Sequence, residues 1–157
     1  MADAEAIARL LLESNAYYSN LAPAFFVPVE EEGLVGWIGS DDEWLSQPSS
    51  CALIAEIGGQ VVGYLEASIE EPDEVARFSG NRDLRERRLF INSVVTAEEH
   101  KRTGVATRLV VAAEDWARAE GATLALCDTF LGSPQSLPFW EQRMGYHRRS
   151  VRLRKRL

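Results

Sequence analysis

Long hydrophobic runs are missing from this 157-residue chain. No apolar stretch approaches the ~18 residues a helical membrane span needs, so a membrane partner is not expected. Residues Met1 to Glu5 are acidic where a secretory signal would be basic and then apolar, and the expected location is therefore the cytoplasm. Cysteine is nearly absent. Cys51 and Cys127 sit in separate apolar runs without C-x-x-C spacing, and only two histidines accompany them. No metal site and no disulfide framework are expected, and both thiols read as buried small hydrophobes. Basic residues are almost missing from the first half: residues 1–76 hold Arg9 against fifteen acids, whereas residues 77–157 hold sixteen Lys and Arg against nine. With six prolines and eleven glycines, collagen-like and linker-dominated chains are excluded.

What is present is a globular composition, 46% hydrophobic and 26% charged. The length suits one domain over 1–157. The net charge of −7 hides an acidic half followed by a basic one. Such polarity fits two ligands of opposite sign, or two halves that neutralise each other across the fold.

Asp3 can cap a helix in which Ala4, Ile7, Ala8 and Leu11 recur at helical spacing as far as about Asn15. Ala16 to Ser50 reads as loops with one or two short helical pieces. Cys51–Ile57 and Gln60–Ile69 are strand-like runs joined by Gly58-Gly59, which supplies the positive φ angles of a two-residue hairpin. Arg88–Thr96 reads as a third strand. Gly104–Glu120 is an amphipathic helix stopped at Gly121. Thr123–Asp128 is a short strand, Leu137–Met144 a short helix, and Val151–Leu157 a last strand. This order predicts an α/β fold with a mixed, mostly antiparallel sheet flanked by helices, and ligands at its strand ends.

Cations crowd the start of the long helix: Lys101 and Arg102, with Arg108 one turn on. The helix dipole is positive there, so an anion would relieve the conflict. Gly104 and Ala106 keep the surface small, letting a phosphate reach unpaired backbone N–H groups, and Thr103 and Thr107 add hydroxyl donors. A Gly turn with solvated basic side chains is the plainer alternative. Neither a P-loop nor G-x-G-x-x-G is present.

The run Lys101-Arg102-Thr103-Gly104-Val105-Ala106 resembles the Arg/Gln-x-x-Gly-x-Gly/Ala signature of the GNAT family of N-acetyltransferases, with Lys in the first position. The long helix ending at Gly121 and the segment Ser133 to Tyr146 resemble the same family. The resemblance implies a splayed sheet, here without the family's first strand, that grips acetyl-CoA. It puts pyrophosphate on the backbone of Lys101, Arg102, Thr103, Gly104, Val105 and Ala106, next to the Thr107 hydroxyl already named, and pantetheine along the main chain near Val94 and Thr96. Phe139-Trp140 stands where the family often has Phe-Tyr, whose tyrosine is associated with protonating the departing thiolate, and an indole N–H is no useful acid. Ser133 and Ser136 replace the family's usual Asn and Ala, which makes them cofactor contacts along with Trp140.

Acyl transfer to an amine needs a neutral nitrogen and a donor for the developing oxyanion. Glu66 is the candidate base, Asn92 can orient a water, and Asp128 is a reserve; each could instead be a solvent-facing strand residue. The acids Glu30–Glu32, Asp41–Glu43 and Glu70–Glu74, with six aromatics between Tyr17 and Trp44, suit a cationic acceptor, a small molecule or peptide. Six basic residues among the last ten read as one wet strand face in preference to a nucleic-acid surface. The expectation is an acetyl-CoA-dependent N-acetyltransferase working by direct attack, with homodimerisation open. The alternative is a non-catalytic acyl-CoA sensor or regulatory module.

Overall fold

The computed structural model of the chain describes residues 3–40 and 42–155. Helix α1, Ala4–Leu21, buries Ala4, Ile7, Ala8 and Leu10 on one face. It runs past Asn15 because that side chain leaves the helix backbone alone: its Oδ1 accepts from the Val29 N–H at 2.8 Å and its Nδ2 donates to the Val27 carbonyl at 3.1 Å. Asp3 stands at the N-cap position, yet its carboxylate makes no capping bond, contrary to expectation. Two short helices follow, α2 (Leu34–Gly39) and α3 (Asp42–Leu45). Asp41 and the side chains of Asp42 and Glu43 lie outside the described residues, so the acidic run expected there is untouched by the structure.

Strands β1 (Ser50–Ile57) and β2 (Gln60–Glu70) form the antiparallel hairpin, with Gly58 and Gly59 at φ +60° and +78° in its turn. The polar link to β3 (Arg88–Thr96) is tied by ion pairs Glu70–Arg88 at 2.7 Å and Glu71–Arg87 at 3.0 Å. Helix α4 (Val105–Ala119) leads to β4 (Leu124–Cys127). The short final helix is α5, Ser136–Pro138, continuing into a π-helical turn over Phe139–Arg143.

The sheet order is β1-β2-β3-β4, antiparallel except for the β3–β4 pair. Helix α4 packs Val105, Leu109 and Val110 against Leu65, Leu89 and Ile91 on one face. Helices α1 and α2 bury Ile7, Leu10 and Ile38 against Tyr64 and Val95 on the other. Gly63 makes the α4 contact close: a Cβ there would stand 2.6 Å from Val105 Cγ1.

The strand expected at Val151–Leu157 does not form. Residues 151–155 have no regular structure, and Leu153 is 89% exposed; Arg156 and Leu157 lie outside the described residues. Alternation of Val151 and Leu153 with arginines imitates a half-buried strand, but the arginines are drawn to separate partners. Arg148 meets Glu141 at 2.5 Å, Arg149 meets Asp83 at 2.6 Å, and Arg152 approaches Asp128 at 3.5 Å. Cys51 and Cys127 are half-buried and unpaired, more accessible than expected. No helix among the described residues is long and apolar enough to cross a membrane.

Candidate active site

Strands β3 and β4 pair over four residues only, Arg88–Ile91 with Leu124–Cys127. Beyond Ile91 they part. The parting coincides with a bulge at Asn92: Glu66 faces Ser93 and Ala67 faces Ile91, leaving Asn92 without a partner on β2. Bulges strengthen local twist and turn a strand away from its neighbour.

Which backbone groups of β3 face the gap follows from the ladder. Ala97 N–H donates to Val62 O at 2.9 Å, and Tyr64 pairs with Val95 two residues further along. In an antiparallel ladder the hydrogen-bonded pairs alternate with pairs whose main-chain groups point outward. The pairs Leu65–Val94 and Gly63–Thr96 are the outward ones. Val94 and Thr96 therefore turn their N–H and C=O groups to the side from which β4 has diverged.

This gap widens into a cleft of about 1050 Å³. Its floor is β3 from Ile91 to Thr96, including Asn92, Val94 and Thr96, and one end is the start of α4. There Gly104 is the N-cap at φ +89°, and Arg102 holds φ +63°, the left-handed region that non-glycine residues avoid. The first backbone bond into the helix runs from Arg108 N–H to Gly104 O at 3.0 Å. The amides of Val105, Ala106 and Thr107 are left without helical acceptors, and a Cβ on Gly104 would meet nothing within 4 Å. The combination of a bare helix start and left-handed residues before it forms a concave set of N–H donors suited to an anion.

The structure separates the predicted phosphate contacts by what their side chains do. Arg102, Gly104, Ala106 and Thr107 line the cleft, and Val105 reaches it while its side chain is buried against the sheet. Lys101 also lines it, but its Nζ is 2.6 Å from Glu98 and 5.0 Å from the centre of the Tyr17 ring. Thr103 is outside the lining; its Oγ1 donates to His100 O at 2.7 Å. The spacing read Thr103 as a donor to ligand, whereas its hydroxyl braces the turn.

On the facing wall stand Trp140 and Ser136, with Thr129 donating to the Ser136 hydroxyl at 3.0 Å. Trp140 is buried against Phe139 and Tyr146, ring centres 5.0 Å away in both cases. Ser133 is buried and outside the lining, its Oγ accepting from the amides of Gln135 (3.4 Å) and Ser136 (3.1 Å). It braces the turn that leads into α5. Tyr146, packed on Trp140, lies outside the lining; its hydroxyl donates to the Glu114 carboxylate at 3.1 Å, and burial with that carboxylate holds it well above the usual phenol range.

Helix α1 also walls the cleft, through Glu13, Tyr17 and Tyr18, with Tyr17 beside Lys101 near the start of α4, and Phe26 and Phe130 from the loops after α1 and β4 line it on the Asp128 side. Two residues that line this cleft, Tyr17 and Thr96, bury their hydroxyl oxygens without a hydrogen-bond partner. Unpaired buried hydroxyls are costly, and a bound ligand is one way to satisfy them. Glu66 lies outside the lining, on the α1 face of β2, where its Oε1 accepts from Asn92 Nδ2 (3.4 Å) and its Oε2 from Tyr64 Oη (3.3 Å). Asn92 itself, exposed in the cleft, bridges that carboxylate to the open space. Asp128 lines the mouth. The clusters Glu30–Glu32 and Glu70–Glu74 do not reach the cleft, and Glu70 and Glu71 are spent on Arg88 and Arg87.

Sequence reasoning missed Phe130, Thr129, His100 and Arg143 in the lining. They belong to irregular segments, a 3-10 turn or the π-helical turn, whose direction no periodicity reveals. Among the described residues no group of three or more His, Cys, Asp or Glu could hold a metal.

The sequence pattern of the acetyltransferase (GNAT) family matches residues 15–146. The chain belongs to the acetyltransferase (GNAT) family. No curated protein matches the chain significantly. Among solved structures, a mutant of the BH1408 protein from Bacillus halodurans is similar at TM-score 0.84 and 12% identity, over 99% of this chain and 94% of that one. A transcriptional regulator from Bacillus halodurans C-125 follows at 0.74 and 20%, over 100% and 95%. The aminoglycoside acetyltransferase AAC(6')-Iy, in complex with a bisubstrate analogue, CoA-S-monomethyl-acetylneamine, is similar at 0.62 and 20%, over 100% and 94%. At these identities the likenesses show the GNAT fold, with its four strands here and the splay between the last two.

Proposed function

We propose that this GNAT protein is a one-domain cytoplasmic N-acetyltransferase that moves an acetyl group from acetyl-CoA to a primary amine of a small molecule or peptide, by direct attack in a ternary complex. The observation that carries the reading is the continuity of one cleft. It begins at bare amides with Arg102, continues along the outward main chain of Thr96 and Val94, and ends at Asn92, Asp128 and the rings of Phe26 and Phe130. A diphosphate, an amide-bearing arm and a reacting centre need those surroundings in that order.

The amides of Val105, Ala106 and Thr107 hold the diphosphate, with Gly104 keeping the approach open. Val94 and Thr96 pair with the pantetheine arm, and Val94 N–H donates to the carbonyl oxygen as it gains charge. An alkylamine with pKa ~10.4 needs roughly 4–5 kcal/mol to be neutral at pH 7. Glu66 takes up that proton through a water that Asn92 orients; the neutral amine then attacks the thioester carbonyl, the C–S bond breaks, and the CoA thiolate takes the nitrogen's second proton by way of cleft water. The aromatic wall and Asp128 favour a cationic acceptor. Likeness to AAC(6')-Iy, whose bisubstrate analogue joins CoA to acetylneamine, supports an amine-bearing small molecule. Thr103 and Ser133 shape their turns and do not touch the cofactor.

A second reading rests on Trp140. A buried indole fills the position where the family's pattern often has tyrosine, and a transcriptional regulator shares the fold. A sensor of acetyl-CoA would need the cleft and no proton donor. Melting the protein with acetyl-CoA at ~100 times its Kd should add about 2.7 kcal/mol, a shift of several degrees. Release of CoA across an amine panel then separates the readings: stabilisation with turnover supports the enzyme, stabilisation without turnover supports the sensor, and no stabilisation removes both.

A further inference from the structure

The basic tail takes no part in the proposed reaction, yet its tip lies on the rim of the same cleft. Its root is anchored away from there, by Arg148 on Glu141 and Arg149 on Asp83. Further along, Arg152 Nη2 stands 3.5 Å from Asp128 Oδ2. The Arg154 guanidinium lies 5.0 Å over the Phe25 ring while its Nη2 donates to Ala24 O at 2.9 Å. Phe25 is the outer member of a tight aromatic group: it packs 4.9 Å from Phe26 and 5.5 Å from Phe130, which pack 5.2 Å from each other. Phe26, Phe130 and Asp128 line the cleft, whereas Phe25 presents an exposed face at its edge.

We propose that Phe25, the Ala24 carbonyl and Asp128 form a two-point subsite for a flexible polycation, and that Arg152 and Arg154 occupy it in the free protein as an internal competitor. This deepens the cationic-acceptor reading and rests on it for the statement that the polycation is the acceptor. The chemistry of the subsite is a ring face with a carbonyl acceptor for one cation and a carboxylate for the next. Two residues of chain separate the Cα atoms of Arg152 and Arg154 by at most about 7 Å, and their long side chains let the two charges lie at or beyond that spacing, so the subsite suits a flexible ligand with charges about 7 Å or more apart. Such a ligand is a linear polyamine or a basic peptide.

The tail is built to be displaced. Arg152 and Asp128 are 91% and 74% exposed, so their attraction is screened, and an exposed cation–π contact is similarly modest. Two contacts of this kind bias occupancy by roughly five- to tenfold, and an incoming ligand sees its affinity lowered by that factor.

Spermine and a peptide of residues 147–155 are the probes, titrated calorimetrically without acetyl-CoA. The double variant Arg152→Gln/Arg154→Gln should bind at least one probe about five- to tenfold more tightly. Arg148→Gln/Arg149→Gln removes the same charge elsewhere and should change affinity less than twofold. Adding Asp128→Asn or Phe25→Leu to the first variant should cancel the gain, with melting curves showing each variant folded. Equal effects of the two double variants, or a gain that survives both added substitutions, would overturn the proposal. Binding of spermine alone, or of the peptide alone, tells which ligand form the subsite takes. Because the readout omits acetyl-CoA, failure of acetyl-CoA to stabilise the protein sinks the acetyltransferase reading and leaves this subsite standing, and the reverse also holds.

Discussion

Asn92 Nδ2 donates to Glu66 Oε1 at 3.4 Å, linking a residue of the cleft floor to a carboxylate outside the lining. The bulge makes this possible: it leaves Asn92 unpaired on β2, next to the Glu66–Ser93 pair. Glu66 is also fixed by the Tyr64 hydroxyl at 3.3 Å, so its position depends on the buried α1 face of the sheet.

If this carboxylate takes the amine's proton, Glu66→Gln lowers kcat with acetyl-CoA and a cognate amine by roughly 10²-fold near pH 7, while the acetyl-CoA-induced melting shift stays. Steady-state kinetics against pH check it. A variant with unchanged kcat removes Glu66 from the chemistry.

Gly104→Ala should weaken acetyl-CoA binding and destabilise the free protein by about 1 kcal/mol, since alanine is strained at φ +89° and its methyl enters the open space before the bare amides. Calorimetric titration and melting read the two effects apart.

Gly63→Ala tests the layer beneath. Its methyl would sit 2.6 Å from Val105 Cγ1 and 3.0 Å from Leu109 Cδ1, and the overpacking should cost about 1–3 kcal/mol. Combining it with Val105→Ala should cost less than the sum of the two single changes, a coupling that a double-mutant cycle of melting experiments measures.

Alkaline pH should loosen the fold. Burial, with the Asp128 carboxylate beside it, pushes the Cys127 thiol up from 9.0 to about 12. Below pH 9 the thiol is neutral whether the chain is folded or not. As pH climbs from 9 towards 12 the unfolded chain gives up this proton first, so stability present below 9 is lost across that window. Tyr146 acts in the same direction from 10.0 upward. Cys127→Ala should flatten the first part of the decline in chemical denaturation, and iodoacetamide at pH 8 should label the wild-type thiol slowly.

Trp140→Phe should leave turnover within about twofold, because an indole N–H is not an acid that could serve the leaving thiolate. A large loss of kcat at constant acetyl-CoA affinity would show that the indole hydrogen bond matters after all.

Much of this architecture was legible in the residues because the signals were local. Gly58-Gly59 dictates its hairpin, Gly121 ends α4, and the small residues at the start of that helix announce bare amides. The tail was misread for the opposite reason. Period-two alternation at Val151 and Leu153 carries no information about Asp83, Asp128 or Glu141, whose carboxylates disperse the arginines. Thr103 and Ser133 are a related case: a hydroxyl near a turn either reaches a ligand or braces the turn, and the residue type does not tell which backbone groups it meets. Glu66 and Asn92 were named separately from alternating strands, while their contact depends on a bulge that no residue type announces.

The brevity of the β3–β4 pairing makes the depth of the binding channel a countable quantity. Each further rung zipped onto the four would swallow about 3.3 Å of the opening. Two extra rungs would reach Ser93, at the threshold of Val94, so lengthening β4 at Asp128 is a direct means of closing this protein to its own ligand.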